Sequence, residues 1–99
     1  MYSLSPRKNR SRMEIMAAIL ERAVEGAKKT QMMYGANLSF YQIEGYSRYM
    51  IKMGFLSFEK ESGLYWTTSK GREFLKSYEN IKLLMNPPKS PNAKPLMAR

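Results

Sequence analysis

A mostly α-helical fold carrying one β-hairpin is what this sequence predicts, and three observations predict it. Two Ser-x-x-Glu/Gln signatures, Ser11 to Glu14 and Ser39 to Gln42, each head an amphipathic run. Gly26, Gly54 and Asn86-Pro87-Pro88 supply the stops that helices need. Between these runs, two short segments rich in aromatic and β-branched residues flank Lys60-Glu61-Ser62-Gly63, a turn closed by glycine.

The first helix is expected from about Arg12 to Glu25, stopped by Gly26. Met13, Met16, Ala17, Leu20 and Val24 keep the spacing of one buried face, and Ile15 and Ile19 widen it. A short helix over about 30–35 follows, with Thr30 as its N-cap. Ala36-Asn37-Leu38 breaks it, because asparagine tolerates a left-handed turn. The third helix opens at Ser39 and runs to Met53, burying Ile43, Tyr46, Met50 and Met53, with Gly54 as its C-terminal glycine. Phe55–Glu59 and Leu64–Thr67 form the hairpin. Thr68 then caps a last helix to about Met85. Helix, helix, turn, helix, hairpin, helix is the winged-helix arrangement.

Composition narrows the chemistry. The 99 residues include no Cys, His or Asp. No disulfide, zinc site of thiolate or imidazole, or Ser-His-Asp triad is possible, and with only Glu, Lys and Tyr left for acid–base chemistry no enzyme is expected. No catalytic residue, metal site, cofactor or small-molecule ligand is indicated. The N-terminus lacks the apolar stretch of a signal peptide, and the longest uncharged run, Thr30 to Ile43, is too short for a membrane span. A cytoplasmic, nucleoid-associated protein is expected, with no membrane partner.

The formal charge is +9 and points to a polyanionic partner. It is unevenly spread. Arg7, Lys8, Arg10 and Arg12 meet no acid before Glu14, and Lys89, Lys94 and Arg99 meet none after residue 85. The 73 residues between these stretches carry only +2. The expected organisation is a flexible basic arm over 1–10, a folded domain over 11–85, and a proline-rich basic tail over 86–99.

Three motifs carry a resemblance. Tyr34-Gly35-Ala36-Asn37-Leu38-Ser39-Phe40-Tyr41-Gln42, Lys52-Met53-Gly54-Phe55-Leu56, and Tyr65-Trp66-Thr67-Thr68-Ser69-Lys70-Gly71 resemble the helix-turn-helix, the helix-to-hairpin junction and the Thr-x-Lys-Gly strand-to-helix motif of archaeal winged-helix regulators. That group includes the small basic ten-a chromatin proteins, which dimerise through their last helix. The resemblance covers about residues 12–85. It implies a DNA-binding transcriptional regulator or chromatin protein that acts as a homodimer. Ser47 and Thr67 stand where the family is usually aliphatic, implying a looser core or local shifts. The hairpin tip, Glu59-Lys60-Glu61, is acidic where a phosphate-touching wing is basic. The last helix is too short for a long coiled coil.

The residues themselves support the third helix as the reader, since a major groove about 12 Å wide admits one helix. Its face opposite the buried one shows Tyr41, Gln42, Gly45, Arg48 and Lys52. Ser39 is suited to phosphate, Gln42 to adenine, Arg48 to guanine, and Tyr41 to phosphate or a thymine methyl. Gly45 admits close approach. Arg7, Lys8, Arg10 and Arg12 complete the expected DNA contacts, with Lys60 at the wing. A plainer reading stands beside this one: Gln42 serves as Ser39's capping partner, and Arg48 and Lys52 form a solvated face beside Glu44. Tyr46, Tyr49 and Trp66 are expected in or at the edge of the core, and the methionines as its gap-fillers. In the last helix Phe74, Leu75, Tyr78, Ile81, Leu84 and Met85 form a stripe too wide for one intramolecular contact. A homodimer interface is expected there; the alternative is that this helix only covers its own domain. The competing functional class is a winged-helix protein-interaction or RNA-binding module.

Overall fold

The structure is a computed structural model that describes residues 10–85, so Arg7 and Lys8 and the proline-rich segment after Met85 lie outside the described residues. Its elements are α1 (Arg12–Arg22), α2 (Lys29–Gly35), α3 (Phe40–Met53), β1 (Leu56–Glu59), β2 (Leu64–Thr67) and α4 (Ser69–Met85). The order is the winged helix-turn-helix order that the sequence predicts.

The capping box of α1 forms as expected. Glu14 N–H donates to Ser11 Oγ at 3.1 Å, and Ser11 N–H donates to the Glu14 carboxylate at 2.9 Å. The helix ends at Arg22, however, three residues short of the expected Glu25. Its last carbonyls are taken by the hairpin: the Thr67 hydroxyl donates to Leu20 O at 2.6 Å, and Thr67 N–H donates to Ala23 O at 3.0 Å. Gly26, with φ +87°, then folds its N–H back onto Ala23 O, and the Trp66 ring lies against it. Ala27 exchanges two backbone hydrogen bonds with Tyr65, at 3.0 and 2.7 Å, adding a one-residue rung beside β2. The buried face of α1 runs through Met16, Ala17, Ile19, Leu20 and Ala23, while Met13 is exposed and Val24 half-buried.

Helix α2 begins at Lys29, and Thr30 is not its cap. Gln31 instead reaches back to accept from Lys28 N–H at 2.8 Å, which satisfies the first-turn donor without a capping side chain at Thr30. Asn37 turns the chain at φ +58°, as its residue type allows. The Ser39–Gln42 box opens α3, with bonds of 3.1 and 2.9 Å, and Gly54 closes it at φ +86°.

The buried face of α3 differs from the expected one. Ile43, Ser47 and Met50 are buried, whereas Tyr46 is half-buried and Met53 exposed. Ser47 takes the inward position between Ile43 and Met50, which leaves residues 46 and 53 at the rim of that face. The Ser47 hydroxyl is satisfied by the Glu44 carbonyl at 3.2 Å.

Strands β1 and β2 pair antiparallel, Leu56 opposite Thr67 and Glu59 opposite Leu64. Phe55, expected as the first strand residue, belongs to the helix cap: its N–H donates to Met50 O at 2.9 Å, and its carbonyl accepts from Thr68 N–H at 3.0 Å. Thr68 caps α4 as expected. Its hydroxyl accepts from Gly71 N–H at 3.0 Å and donates to Gly54 O at 2.6 Å. Lys70 Nζ reaches Met53 O at 2.8 Å across the Phe55 ring. Fully buried Ile19, Leu20, Met32, Ile43, Met50 and Leu56 meet at the centre of the domain, so three of its elements, α1, α3 and β1, share one core with α2.

Candidate nucleic-acid interface

With Ile43, Ser47 and Met50 turned inward, the opposite side of α3 faces outward. Tyr41, Gln42, Gly45, Arg48, Tyr49 and Lys52 are exposed along one face of α3. Two hollows border the Tyr41-Gly45-Tyr49 row. One is lined by Glu44, Arg48 and Lys52 on its far side, and the other by Arg12, Met16, Gln42 and Tyr46. The structure therefore brings together Arg12, Tyr41, Gln42, Gly45, Arg48 and Lys52 of the expected contacts. Ser39 sits at the N-terminus of the same helix. Lys60 does not join them; it stands at the hairpin tip and lines neither hollow.

Gln42 acts as the capping partner, because its side-chain oxygen accepts from Ser39 N–H. Its amide nitrogen is not used in that bond. Arg48 reaches Glu44 at 3.4 Å in the expected i, i+4 pair, yet its side chain stays 77 % exposed. Glu44 is held more closely from the other side by Lys29, at 2.7 Å. The hydrogen bond from Lys29, then its charge and to a smaller extent that of Arg48, keep the Glu44 carboxyl below its usual range despite some desolvation. The same bond raises the pKa of Lys29. An acid on the outward helix is thus matched by two cations and does not leave a net negative patch.

Two residues have roles that the sequence reading did not assign. Arg10, expected on the free arm, donates through its guanidinium to Ala36 O at 2.7 Å and Asn37 O at 3.4 Å, the carbonyls of the turn before α3. Tyr49, expected in or near the core, is 44 % exposed beside Gly45. Its spacing from Tyr41, eight residues with Gly45 midway, is the signal that finds it, since i, i+4 and i+8 share a helix face. Trp66 is part-exposed, its Nε1 donating to Glu59 at 3.2 Å. Ser62 Oγ donates to the same carboxylate at 2.7 Å, so Glu59 is engaged within the hairpin.

Helix α4 packs on α1 and β2 through its first half. Phe74, Leu75 and Tyr78 are half-buried, with Phe74 5.3 Å from the Phe55 ring. Ile81, Leu83, Leu84 and Met85 are exposed, Leu84 to 81 %. Leu83 extends the apolar surface beyond the expected stripe. Among the described residues no His, Cys, Asp and Glu cluster suits a metal ion, and no helix is long and apolar enough to cross a membrane.

The family model described as winged helix-turn-helix matches residues 9–86. Among solved structures, the chain is similar to Sso10a-2, a DNA-binding protein from Sulfolobus solfataricus, with 30 % identity and a TM-score of 0.70 over 78 % of this chain and 84 % of that one. No curated protein matches. The match spans all of the described residues and, together with that likeness to an archaeal DNA-binding protein, places the chain in the winged helix-turn-helix family.

Proposed function

We propose that this protein binds double-stranded DNA as a homodimer, laying α3 in the major groove and serving as a chromatin protein or transcriptional regulator. The observation that carries the reading is the outward face of α3, where Arg48 and Lys52 flank Gly45 and Arg12 joins them from α1. Cations at these places neutralise phosphates, while Gln42 and Arg48 approach base edges. The likeness to Sso10a-2, a protein that binds DNA, supports the same partner. Arg7 and Lys8 add contacts that do not depend on sequence.

The second half of α4 supplies the dimer contact. Among the described residues Leu84 and Met85 stay mostly exposed and Ile81 and Leu83 about half so, and a second copy buries them. Two copies so joined place their reading helices in successive major grooves, about 34 Å apart. Sedimentation is expected to give a dimer that Leu84→Glu converts to monomer. A wild-type monomer at all concentrations that bind DNA refutes the pairing.

A mobility-shift series over salt tests the main reading. Log affinity is expected to fall against log salt with a slope of about −3 to −5, reflecting the phosphates neutralised. Deleting residues 1–9, which spares Arg10, lowers affinity on every duplex and flattens the slope by about 2. A slope near zero rejects DNA binding and leaves the interaction-module reading.

A further inference from the structure

Gly45 is the one glycine of this chain with neither a left-handed backbone nor a neighbour that a Cβ would meet. It lies inside α3, where glycine is less favourable to the helix than alanine. Among the described residues nothing packs there to account for that cost: beyond its chain neighbours and the backbone of its own helix, no atom lies within 4 Å of the place a Cβ would occupy. The gap is useful only to something outside the domain.

The surroundings say what that is. Tyr41 and Tyr49 stand one helical turn to either side of Gly45, about 12 Å apart along the axis. Between them the glycine leaves a saddle that joins the two hollows, floored on one side by Met16 and Tyr46. The saddle is apolar, but its rim carries Arg12, Arg48 and Lys52, with Glu44 already paired to Lys29. An apolar floor inside a cationic rim does not fit a second protein helix, which would have to cover three cations. It fits a polyanion that presents an apolar knob. In the major groove of DNA the knob is the C5-methyl of thymine, and the other bases present only donors and acceptors there. The hollows are open at the surface, so the group enters edge-on with its base still stacked.

We infer that the Tyr41-Gly45-Tyr49 saddle is a thymine-methyl site that sets sequence preference. The inference rests on the DNA-binding reading above and assigns the specificity of that surface. The methyl sits over Gly45 Cα between the two rings, while Arg48 and the Gln42 amide lie against neighbouring base edges. An alanine Cβ at position 45 fills the space that the methyl needs.

The test compares two duplexes of equal length at one low salt concentration, alternating dA-dT and the same sequence with uracil in place of thymine, by fluorescence anisotropy. Wild type is expected to bind the uracil duplex about fourfold more weakly for each protomer engaged, the worth of one buried methyl. Gly45→Ala is expected to raise the melting temperature by about 3 to 6 °C while bringing the thymine-to-uracil ratio close to one. Tyr41→Ser, at a side chain 87 % exposed and so free of the core, is expected to lower the ratio in the same way. A wild-type ratio of one with salt-dependent binding intact overturns the thymine site and leaves DNA binding standing. A ratio unchanged by both variants overturns it as well. Binding to neither duplex overturns the inference together with the reading beneath it.

Discussion

Gly71→Ala is expected to destabilise the domain by about 3 kcal/mol, with the melting temperature falling by more than about 10 °C. Gly71 is buried at the first turn of α4, where a Cβ would collide with the Phe55 carbonyl oxygen and lie 2.7 Å from Thr67 Cγ2. The carbonyl cannot retreat. It accepts from Thr68 N–H, and the residue before it gives its own carbonyl to the Thr68 hydroxyl. Relief therefore requires α4 to move away from the end of α3, which breaks both bonds and the Lys70 contact to Met53 O. Urea unfolding measures the effect, and an unfolding free energy within about 0.5 kcal/mol of wild type would show that the junction yields easily. Alanine at these two helical glycines thus has opposite expected signs, down at 71 and up at 45.

Thr67→Val follows, with an expected loss of about 1 to 2 kcal/mol. The Thr67 hydroxyl is buried and donates to Leu20 O at 2.6 Å, the bond that ends α1 against the hairpin. Valine keeps the shape and removes the donor, leaving Leu20 O with only the longer 3.2 Å bond from Ala23 N–H and unlinking the last turn of α1 from the hairpin side chain. Ser47→Ala, also at a buried hydroxyl, is expected to change stability by less than about 0.5 kcal/mol. Its bond is to Glu44 O within the same helix, and alanine recovers in helix propensity much of what the bond supplied. Equal losses at the two positions would mean that burial alone, and not the partner, sets the cost.

These hydroxyls also mark where sequence reasoning reached its limit. Element order, both capping boxes, the left-handed Asn37 and Gly54, and the Thr68 cap are local events, each written within four or five consecutive residues. They were readable for that reason. The end of α1 was not, because it depends on Thr67, 47 residues away. The same holds for the Ala27–Tyr65 rung, a single pair without any period to detect. Comparison with the family pattern implied a looser core or local shifts at Ser47 and Thr67; in place both hydroxyls are bonded, Thr67 across to α1 and Ser47 within α3. At the candidate interface, periodicity grouped Tyr41, Gln42, Gly45, Arg48 and Lys52 on one face, and the structure keeps them together. Arg12 joins them and Arg10 instead holds the turn, a division that basic composition does not contain.

The Thr-x-Lys-Gly segment carries one further consequence. Thr68 and Lys70 bind the last carbonyls of α3, and Gly71 lets α4 begin against that same end. The helix proposed to read DNA and the helix proposed to pair the copies are thus bolted at a common corner. A dimer built this way is a caliper with stiff jaws. Its span depends on where along α4 the copies meet, and sliding that contact by one helical turn moves each jaw by about 5.4 Å, more than the rise of a base pair. Binding-site spacing would then be chosen by the apolar residues at the far end of α4, which touch no DNA at all.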